Sequence, residues 1–358
     1  MDGIEDAAGR TNPENQRARK KLYERMRRHN LAPLWEVLHD ILRPAPASPC
    51  APALWRYTEM RPYLLEAGNT NSAAEAQRRV LVLENPQLPG QSRITRSLYA
   101  GLQIVMPGEI APAHRHVAAA LRLIVEGAPG AYTAVDGERT AMASGDFIIT
   151  PSWTWHDHGN ESDRPVVWLD GLDLHIVNLF EAGFYEQWPE ERYPTTRPAG
   201  SCLAEIGAGL LPVDDGGGGH TSLLLSYPYA RSREALDSLA RHQAPDECHG
   251  FKMKFLNPLN GGWALPTIAT CMQLLPKGFH SVPYRSTAAT VFAVVEGSGS
   301  TLVGAERLDW QRHDVLVVPS WVPHEHIAAT EAVVFSFSDR AAQERLAIYR
   351  EQRGPRRS

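Results

Sequence analysis

The sequence of 358 residues has few cysteines, no long apolar run and no strong charge of either sign. Its four cysteines are far apart and form no C-x-x-C motif, which argues against a zinc ribbon and against a redox motif. No apolar run approaches the roughly 20 residues that a membrane-spanning helix needs. The acidic N-terminus lacks the basic start and apolar stretch of a secretory signal. We therefore expect a cytoplasmic protein with free thiols and no membrane partner.

The overall charge gives no reason to expect a nucleic-acid partner. The net charge is -5, and 43% of the residues are apolar and 22% charged, values near those of ordinary globular proteins. The densest basic stretch, residues 17–28, lies in a segment that also carries regularly spaced apolar residues. A solvated helix face explains this stretch better than nucleic-acid binding does.

Local patterns divide the chain into a helical start and two β-rich blocks. Residues 15–43 predict one or two amphipathic helices with a break at Pro33. From about residue 79, short apolar runs alternate with Gly, Pro and Asp, which predicts an antiparallel sandwich or barrel. A glycine-rich segment at 214–219 separates this block from a second one at about 263–337.

The two β-rich blocks resemble each other. Three landmarks of the first block return in the second at a nearly constant offset of about 170 residues, which predicts a duplicated barrel. They are Pro107, 126–127 and 151–153, which return as Pro276, 296–297 and 319–321. We therefore expect an N-terminal helical segment (1–78), a first, catalytic barrel (79–213), a linker with a helix (214–262), and a degenerate second barrel with a C-terminal helix (263–358).

Three histidines of the first block form a candidate metal site. His114 and His116 lie at positions i and i+2 of a predicted strand, so both side chains point to one face. His156 follows after a turn and a further strand. Ligands from two adjacent strands leave open positions on one side of a metal, as a catalytic site requires. Imidazole ligands suit Fe, Zn, Ni, Cu and Mn, so the spacing leaves the metal open.

The surroundings of these histidines resemble the two motifs of the cupin superfamily, G-x5-H-x-H-x3,4-E-x6-G and G-x5-P-x-G-x2-H-x3-N. The matching positions are Gly108, His114, His116 and Gly127 in the first motif, and Gly145, Pro151, His156 and Asn160 in the second. Ala120 replaces the glutamate, and Trp153 replaces a glycine. The resemblance implies a mainly β bicupin, with two double-stranded β-helix barrels and a neutral set of three histidines.

Three stretches are similar to a narrower group, the bicupin ring-cleavage dioxygenases that act on gentisate, salicylate and 1-hydroxy-2-naphthoate. These stretches are residues 107–116, 150–160 and 168–173. Members of the group bind Fe(II) through three histidines, open the ring between the carboxyl-bearing carbon and its hydroxylated neighbour, and are commonly homotetramers. The resemblance implies one Fe(II) per chain, held by His114, His116 and His156. It also implies an extradiol-type reaction of a small aromatic acid with O2.

The resemblance further assigns polar residues near the iron. His158 matches a histidine that hydrogen-bonds substrate or oxygen, although a histidine that merely supports the ligands is an equal alternative. Gln103 and Asp170 match other polar positions around the metal.

Two arginines are candidates for binding the substrate carboxylate. Arg122 lies in the apolar run 119–125, where a buried guanidinium requires a carboxylate, from substrate or from a buried partner. Arg79, in preference to Arg78, matches a second arginine of the family. Together they would fix the orientation of the aromatic ring.

The second block departs from the metal-binding pattern. Tyr284 and Ser286 occupy the H-x-H positions, and only His324 remains, with His326 beside it. One imidazole does not make a metal site. We therefore expect a structural or oligomerising barrel, with a pocket of another kind left open.

The choice of substrate depends on the segment that follows the H-x-H pair. Overall likeness favours gentisate, which would be converted to maleylpyruvate. Residues 117–120 are apolar, whereas gentisate enzymes carry polar residues there, and an apolar segment cannot hydrogen-bond a 5-hydroxyl group. Salicylate, 5-substituted salicylates such as 5-nitrosalicylate, and 1-hydroxy-2-naphthoate therefore remain alternatives. A metal-binding cupin without redox activity is a more distant one.

Overall fold

The computed structural model describes residues 13–211, 213 and 221–354, so most of the glycine-rich segment lies outside it. A boundary between Ala47 and Ser48 separates two units. The described part of the first unit contains two helices, α1 (Pro13–Arg27) and α2 (Leu34–Ile41), on either side of the expected break at Pro33. The Tyr23 hydroxyl links them, since it donates to Glu36 at 2.6 Å and accepts from the Trp35 indole at 2.8 Å.

The second unit begins at Ser48 and contains the remaining described helices. These are α3 (Tyr57–Thr70), α4 (Ala73–Ala76), α5 (Leu174–Leu179), α6 (Ser201–Glu205), α7 (Tyr229–His242) and α8 (Arg340–Arg345), with a short 3-10 helix at Ile206–Ala208. None of the described helices has the length and apolar character needed to cross a membrane. The domain boundaries expected from the sequence stay a prediction.

Strands make up most of the second unit. In the first half they are β1 (Ala53–Trp55), β2 (Val80–Val82), β3 (Tyr99–Val105), β4 (Ile110–His116), β5 (Ala120–Glu126), β6 (Ala131–Val135), β7 (Glu138–Ala141), β8 (Phe147–Thr150), β9 (His156–Asn160), β10 (Val166–Leu172) and β11 (Tyr185–Gln187). In the second half they are β12 (Ser226–Tyr227), β13 (Phe251–Lys254), β14 (Ala269–Leu275), β15 (Tyr284–Ser286), β16 (Thr290–Glu296), β17 (Ser298–Val303), β18 (Glu306–Gln311), β19 (Val315–Val318), β20 (His324–Ala328), β21 (Ala332–Ser338) and β22 (Glu351–Arg353).

These strands form four antiparallel sheets, two for each barrel. The first barrel combines the orders β12-β8-β5-β10-β3-β2 and β11-β4-β9-β6-β7. The second combines β1-β19-β16-β21-β14-β13 and β18-β17-β20-β15-β22. The two barrels therefore repeat one topology, and the predicted mainly β bicupin architecture is confirmed.

Each barrel takes one outer strand from the other half of the chain. Strand β1 precedes the first barrel in sequence but pairs with β19 of the second, with Ala53 opposite Val317. Strand β12 precedes the second barrel but pairs with β8 of the first, with Ser226 opposite Ile148. The repeated unit is therefore longer than a barrel, because it also includes the strand and helix that precede the barrel.

Helix α3, which follows β1, hydrogen-bonds to both barrels. The backbone N–H of Tyr57 donates to Asp314 of the second barrel at 2.9 Å. The hydroxyl of the same tyrosine donates to Glu126 of the first barrel at 2.7 Å, and Arg61 forms an ion pair with that carboxylate. One residue at the start of the helix thus ties the two barrels together.

Helix α7 repeats these contacts in the opposite sense. The backbone N–H of Tyr229 donates to Asp146 of the first barrel at 2.8 Å, and its hydroxyl donates to Glu296 of the second. Arg233 lies 3.7 Å from Glu296, as Arg61 lies beside its own carboxylate. The barrels are therefore joined by two equivalent sets of contacts, which extends the duplication predicted from the sequence.

A single large apolar core extends across both barrels. At its centre the ring of Phe335, from β21 of the second barrel, lies 5.3 Å from the ring of Phe147, from β8 of the first. Both side chains are fully buried. Burial of aromatic rings is among the largest apolar contributions to stability, so the joint between the barrels stabilises both of them.

This core gives a test of how the barrels depend on each other. The change Phe335→Ala is expected to lower the free energy of unfolding by about 3–5 kcal/mol, because it removes a buried ring and leaves a cavity. Urea unfolding followed by fluorescence measures this loss. Phe180→Ala removes the same atoms from a side chain that is 64% exposed, and its unfolding curve should stay near that of the wild type. Equal effects of the two changes would contradict the shared core.

Candidate metal centre and adjoining pocket

The three histidines predicted as ligands lie together on two neighbouring strands of the first barrel. His114 and His116 belong to β4, and His156 belongs to β9, directly opposite His114. One nitrogen of each ring lies within 4.8 Å of one nitrogen of each of the others. Among the described residues, no other group of His, Cys, Asp or Glu side chains has this geometry. The spacing of the sequence motif thus becomes a compact cluster of three imidazoles.

The hydrogen bonds of the rings turn Nδ1 of each towards the backbone and leave Nε2 as the atom that can bind a metal. Nε2 of His114 lies 3.2 Å from the Arg78 guanidinium, which would have to move when a metal binds. In each ring Nδ1 faces a backbone carbonyl, and an N–H at Nδ1 that donates to it leaves Nε2 with a lone pair. These contacts join His114 to Pro112 at 3.2 Å, His116 to Ala118 at 2.6 Å and His156 to Thr154 at 3.0 Å. The Nε2 atom of His156 is buried without a hydrogen-bond partner in the described chain. A metal ion fits this arrangement.

Burial keeps the three rings neutral near pH 7. It lowers the pKa of His116 to about 4, and it lowers the pKa of His156 well below the usual value. Burial and then the nearby charge of Arg78 lower the pKa of His114 to about 2. Neutral imidazole is the form that binds a metal, so the ligands do not need to lose protons first.

A strained turn precedes the third histidine. Trp153 occupies the usual glycine position of the cupin motif with φ +62°, a region that side chains other than glycine rarely adopt. Its backbone N–H donates to the backbone carbonyl of His116 at 2.9 Å. Its ring lies 4.3 Å from that of Phe184, and the Arg115 guanidinium lies 4.3 Å from the Trp153 ring. These contacts hold the tryptophan in a glycine conformation and connect the turn to the H-x-H strand.

His158 lies beside the cluster but belongs to the barrel interior. Its Nδ1 is 3.0 Å from the Thr133 hydroxyl, and its ring is 5.1 Å from that of Trp168. Its Nε2 is buried and has no hydrogen-bond partner in the described residues. The ring of His156 is 5.8 Å away. His158 thus lies next to His156, but it is not among the side chains that line the adjoining pocket.

The pocket next to the histidines has a volume of about 440 Å³ and contains a buried ion pair. Arg122 on β5 lies opposite Asp170 on β10, with 3.4 Å between guanidinium and carboxylate, and it also donates to the Thr150 hydroxyl. Burial raises the pKa of Asp170 to about 6, and the charge of Arg122 opposes that rise. Gln103 lines the same pocket, with an amide nitrogen that has no partner among the described residues. These three predicted residues lie together.

The two candidate arginines, Arg79 and Arg78, lie on different sides of the chain. Arg79 turns away from the pocket, forms an ion pair with Glu109 and donates to the backbone carbonyl of Gly68 at 2.8 Å. Arg78 instead lines the pocket, where its guanidinium contacts His114 and donates to the Pro112 carbonyl at 2.6 Å. The chain turns here, since the Val80 N–H donates to the Arg78 carbonyl at 3.1 Å, and the two side chains leave it in different directions.

The remaining pocket wall is largely apolar and aromatic. It includes residues that the sequence analysis did not select, namely Val80, Tyr99, Leu172, Leu174, Val177, Asn178, Phe184 and Tyr185. Tyr99 lies four residues before Gln103 on β3, and the strand period of two could have placed both on one face. Phe184 and Tyr185 arrive from a later part of the chain, where β11 pairs with β4. No local sequence pattern predicts that this later segment pairs with β4.

The second barrel keeps the strand pairing of the first but not its cluster of three histidines. Tyr284 of β15 pairs with His324 of β20, as His114 pairs with His156 in the first barrel. His326 lies 2.9 Å from the Thr301 hydroxyl, which matches the contact between Thr133 and His158. The Tyr284 hydroxyl donates to Glu351 at 2.7 Å, so it is already engaged.

Comparison with known proteins agrees with this geometry. Residues 101–172, which include the three histidines, match the family model of the cupin domain. The chain is 53% identical over 335 residues to gentisate 1,2 dioxygenase 1 of Aquipseudomonas alcaligenes, covering 94% of this chain and 96% of the relative. It is 36% identical to 5-aminosalicylate 1,2-dioxygenase of Comamonas sp., covering 92% of this chain and 89% of that one.

A solved structure supports the whole-chain fold. Salicylate 1,2-dioxygenase from Pseudoaminobacter salicylatoxidans, in adducts with gentisate, superimposes with a TM-score of 0.88 at 30% identity. The match covers 98% of this chain and 96% of that one. The duplicated barrels, the single cluster of three histidines and these relatives lead to one conclusion. The chain belongs to the bicupin family of ring-cleaving gentisate 1,2-dioxygenases and their salicylate-cleaving relatives.

Proposed function

We propose that the chain is an Fe(II)-dependent, extradiol-type dioxygenase that opens gentisate between its carboxyl-bearing and hydroxyl-bearing carbons, giving maleylpyruvate. The observation that carries the proposal is the placement of three neutral imidazoles beside two arginines, the half-buried Arg78 and the buried Arg122, in one pocket. The imidazoles suit a divalent metal, and the arginines suit the carboxylate of an aromatic acid. The 53% identity to a gentisate 1,2 dioxygenase supports gentisate as the leading substrate.

The proposed ligands of iron are His114, His116 and His156, with one ion per chain. When bound, Fe(II) supplies the redox chemistry that couples an electron-rich ring to O2. Three ligands from adjacent strands leave the pocket side of the metal open for substrate. Burial keeps the rings neutral, and the backbone carbonyls at their Nδ1 atoms fix their orientation.

The substrate carboxylate is proposed to bind between Arg78 and Arg122. Burial, and then the positive charge of Arg122, lower the pKa of Arg78 to about 10, so the two guanidinium groups repel each other. Asp170 is the carboxylate that faces Arg122, and its single negative charge cannot compensate both arginines. An arriving carboxylate supplies the missing charge. Since Arg78 contacts His114 here, we propose that it turns towards the substrate when the metal binds, because two cations repel.

The other predicted residues receive supporting roles. Asp170 holds Arg122 in place, and Gln103 offers an unpartnered amide nitrogen to the substrate or to O2. The hydrogen bond between the Thr133 hydroxyl and Nδ1 fixes the ring of His158. The other ring nitrogen, Nε2, has no partner among the described residues and lies on the opposite side of the ring from that hydroxyl. Arg79, paired with Glu109, stabilises the start of β2 instead of binding substrate. A homotetramer remains part of the proposal through the family resemblance alone.

A second candidate substrate class follows from the apolar pocket wall. Ala118 and Ala120 both line the pocket, as alternate residues of the apolar segment 117–120. Methyl groups cannot hydrogen-bond a 5-hydroxyl and do not reject other groups at that position. We therefore propose that the enzyme also accepts salicylates with 5-amino, 5-nitro or 5-halo groups, with salicylate and 1-hydroxy-2-naphthoate as further alternatives. A cupin that binds metal without redox activity would not need paired arginines in its pocket.

The metal assignment is tested by the iron content of histidine variants. Changing His114, His116 or His156 to Ala is expected to remove most of the bound iron and of the activity, because two imidazoles hold the ion poorly. His324→Ala, at the equivalent position of the second barrel, should keep one iron per chain. Metal analysis after anaerobic loading with Fe(II) measures both. Two irons in the native chain would contradict the proposal.

The carboxylate assignment is tested by Arg78→Met. A charge-assisted hydrogen bond is worth roughly 1.5–3 kcal/mol, so kcat/KM should fall by at least about tenfold, mainly through a higher KM. Arg122→Met should act in the same direction. The exposed Arg164→Met is the matched control and should leave the kinetics unchanged. If iron content and kinetics both stay at wild-type values in Arg78→Met, the arginine does not bind substrate.

The substrate assignment is tested by oxygen uptake with a panel of acids at equal concentration. The panel contains gentisate, salicylate, 5-amino-, 5-nitro- and 5-chlorosalicylate, and 1-hydroxy-2-naphthoate. Gentisate is expected to give the highest kcat/KM, because its second hydroxyl makes the ring electron-rich, and the 5-substituted salicylates are expected to react measurably. A higher value for any other acid would reassign the substrate. No oxygen uptake with the whole panel by an iron-loaded protein would overturn the dioxygenase proposal.

A further inference from the structure

The second barrel contains a cavity of about 480 Å³ at the position that corresponds to the catalytic pocket of the first. Tyr284, Ser286 and His324 line it, at the positions of the three clustered histidines of the first barrel. The pairing of Tyr284 with His324 shows that the strands keep their register. The second barrel thus has a cavity large enough for an aromatic acid, although two of the three histidine positions carry other side chains.

The charged residues of this cavity are rearranged relative to the catalytic pocket. Phe292 and Ser336 are cross-strand partners at the positions that Arg122 and Asp170 occupy in the first barrel, so the buried ion pair is absent from this pair of positions. A positively charged side chain, that of Lys252, lies on the edge strand β13. Lys252 of β13 pairs with Gln273, as Val80 of β2 pairs with Gln103.

Lys252 lines the cavity and is only partly exposed. Its side chain forms no ion pair and no hydrogen bond with any residue that the structure describes. His324 lines the same cavity, and burial first, then the positive charge of Lys252, lower the pKa of its imidazole to about 3. An ammonium held near buried imidazoles without a counter-charge favours an anion.

The carboxylates of the cavity wall are already engaged elsewhere. Glu351 accepts hydrogen bonds from the hydroxyls of Tyr284 and Tyr349, each at 2.7 Å. Asp246 forms an ion pair with Arg353 at 2.7 Å. Glu351 also lies 3.7 Å from Arg340, so both carboxylates have partners other than Lys252, and the charge of Lys252 remains available to a ligand.

The interior offers a further polar group and an aromatic surface. His324 is only 8% exposed, and it is one of the side chains that line the cavity. Its ring lies 5.6 Å from that of Tyr284 and 5.7 Å from that of Phe292. A ligand that satisfies Lys252 and His324 would thus place its remaining atoms against aromatic rings.

We propose that this cavity is a second, metal-independent binding site for a small aromatic carboxylate. The carboxylate binds Lys252, with His324 as a further polar contact, and the ring lies against Tyr284 and Phe292. The site goes beyond the proposed ring cleavage and does not depend on it, because none of its residues belongs to the first barrel.

The probe for this site is 4-bromobenzoate, which lacks the 2-hydroxyl group of the proposed substrates. In crystals of the iron-loaded protein soaked with the probe, anomalous scattering is expected to locate bromine in the second barrel, with the carboxylate beside Lys252. Bromine found only in the first barrel would overturn the proposal. Crystallography separates the two pockets, so binding in the catalytic pocket cannot be mistaken for binding here.

Calorimetry of lysine variants tests the same site in solution. Lys252→Met is expected to bind one fewer probe molecule per chain, or to bind it at this site at least about tenfold more weakly, because a charge-assisted contact is lost. Lys252→Arg should retain binding within a few-fold. Lys277→Met, which removes an exposed lysine elsewhere, should match the wild type. Unchanged binding by Lys252→Met would overturn the proposal.

Ring cleavage measured without the probe serves as the folding control for Lys252→Met, because Lys252 lies outside the catalytic pocket. Loss of probe binding with unchanged turnover supports the second site. Failure of the ring-cleavage proposal would leave the bromine position unaffected, so the two proposals fail separately.

Discussion

Strand β1 is hydrogen-bonded to the second barrel although it precedes the first, and β12 is hydrogen-bonded to the first although it precedes the second. The exchange covers an edge of each large sheet, where unpaired backbone groups would otherwise be exposed. It also supports the site. Strand β12 pairs with β8, β8 pairs with β5, and β5 carries Arg122, which donates to Thr150 of β8. Neither barrel is complete without residues from the other half of the chain.

The two barrels have the same strand topology but different side chains in their pockets. The contact between Thr133 and His158 recurs as that between Thr301 and His326, so the interior polar pair survives in both copies. Tyr284 and Ser286 stand where His114 and His116 stand in the first barrel, so the cluster of three imidazoles is lost while the strand register stays the same. Backbone topology therefore decides where a pocket lies, and a few side chains decide whether imidazoles cluster beside it.

Much of the site could be predicted from local patterns. The strand period of two places His114 and His116 on one face, and this needs no tertiary information. Trp153 at a glycine position was visible in the motif, and the structure confirms that the backbone there keeps a glycine conformation. The duplication was also visible, since Pro and Gly landmarks mark the same turns in both copies. These features are local, so the residues themselves carry the information.

The sequence by itself determined the mainly β duplicated architecture, the trio of histidines and the loss of that trio in the second barrel. Only the tertiary structure decided that Arg78, and not Arg79, faces the pocket. The pairing of β2 with β3 decides between them. Val80 lies opposite Gln103 and faces the pocket, and Arg78, two positions before Val80, faces the pocket as well. The exchanged strand β1 and the wall residue Tyr185 were likewise decided by long-range pairing, because a strand's partner depends on which distant edge is free.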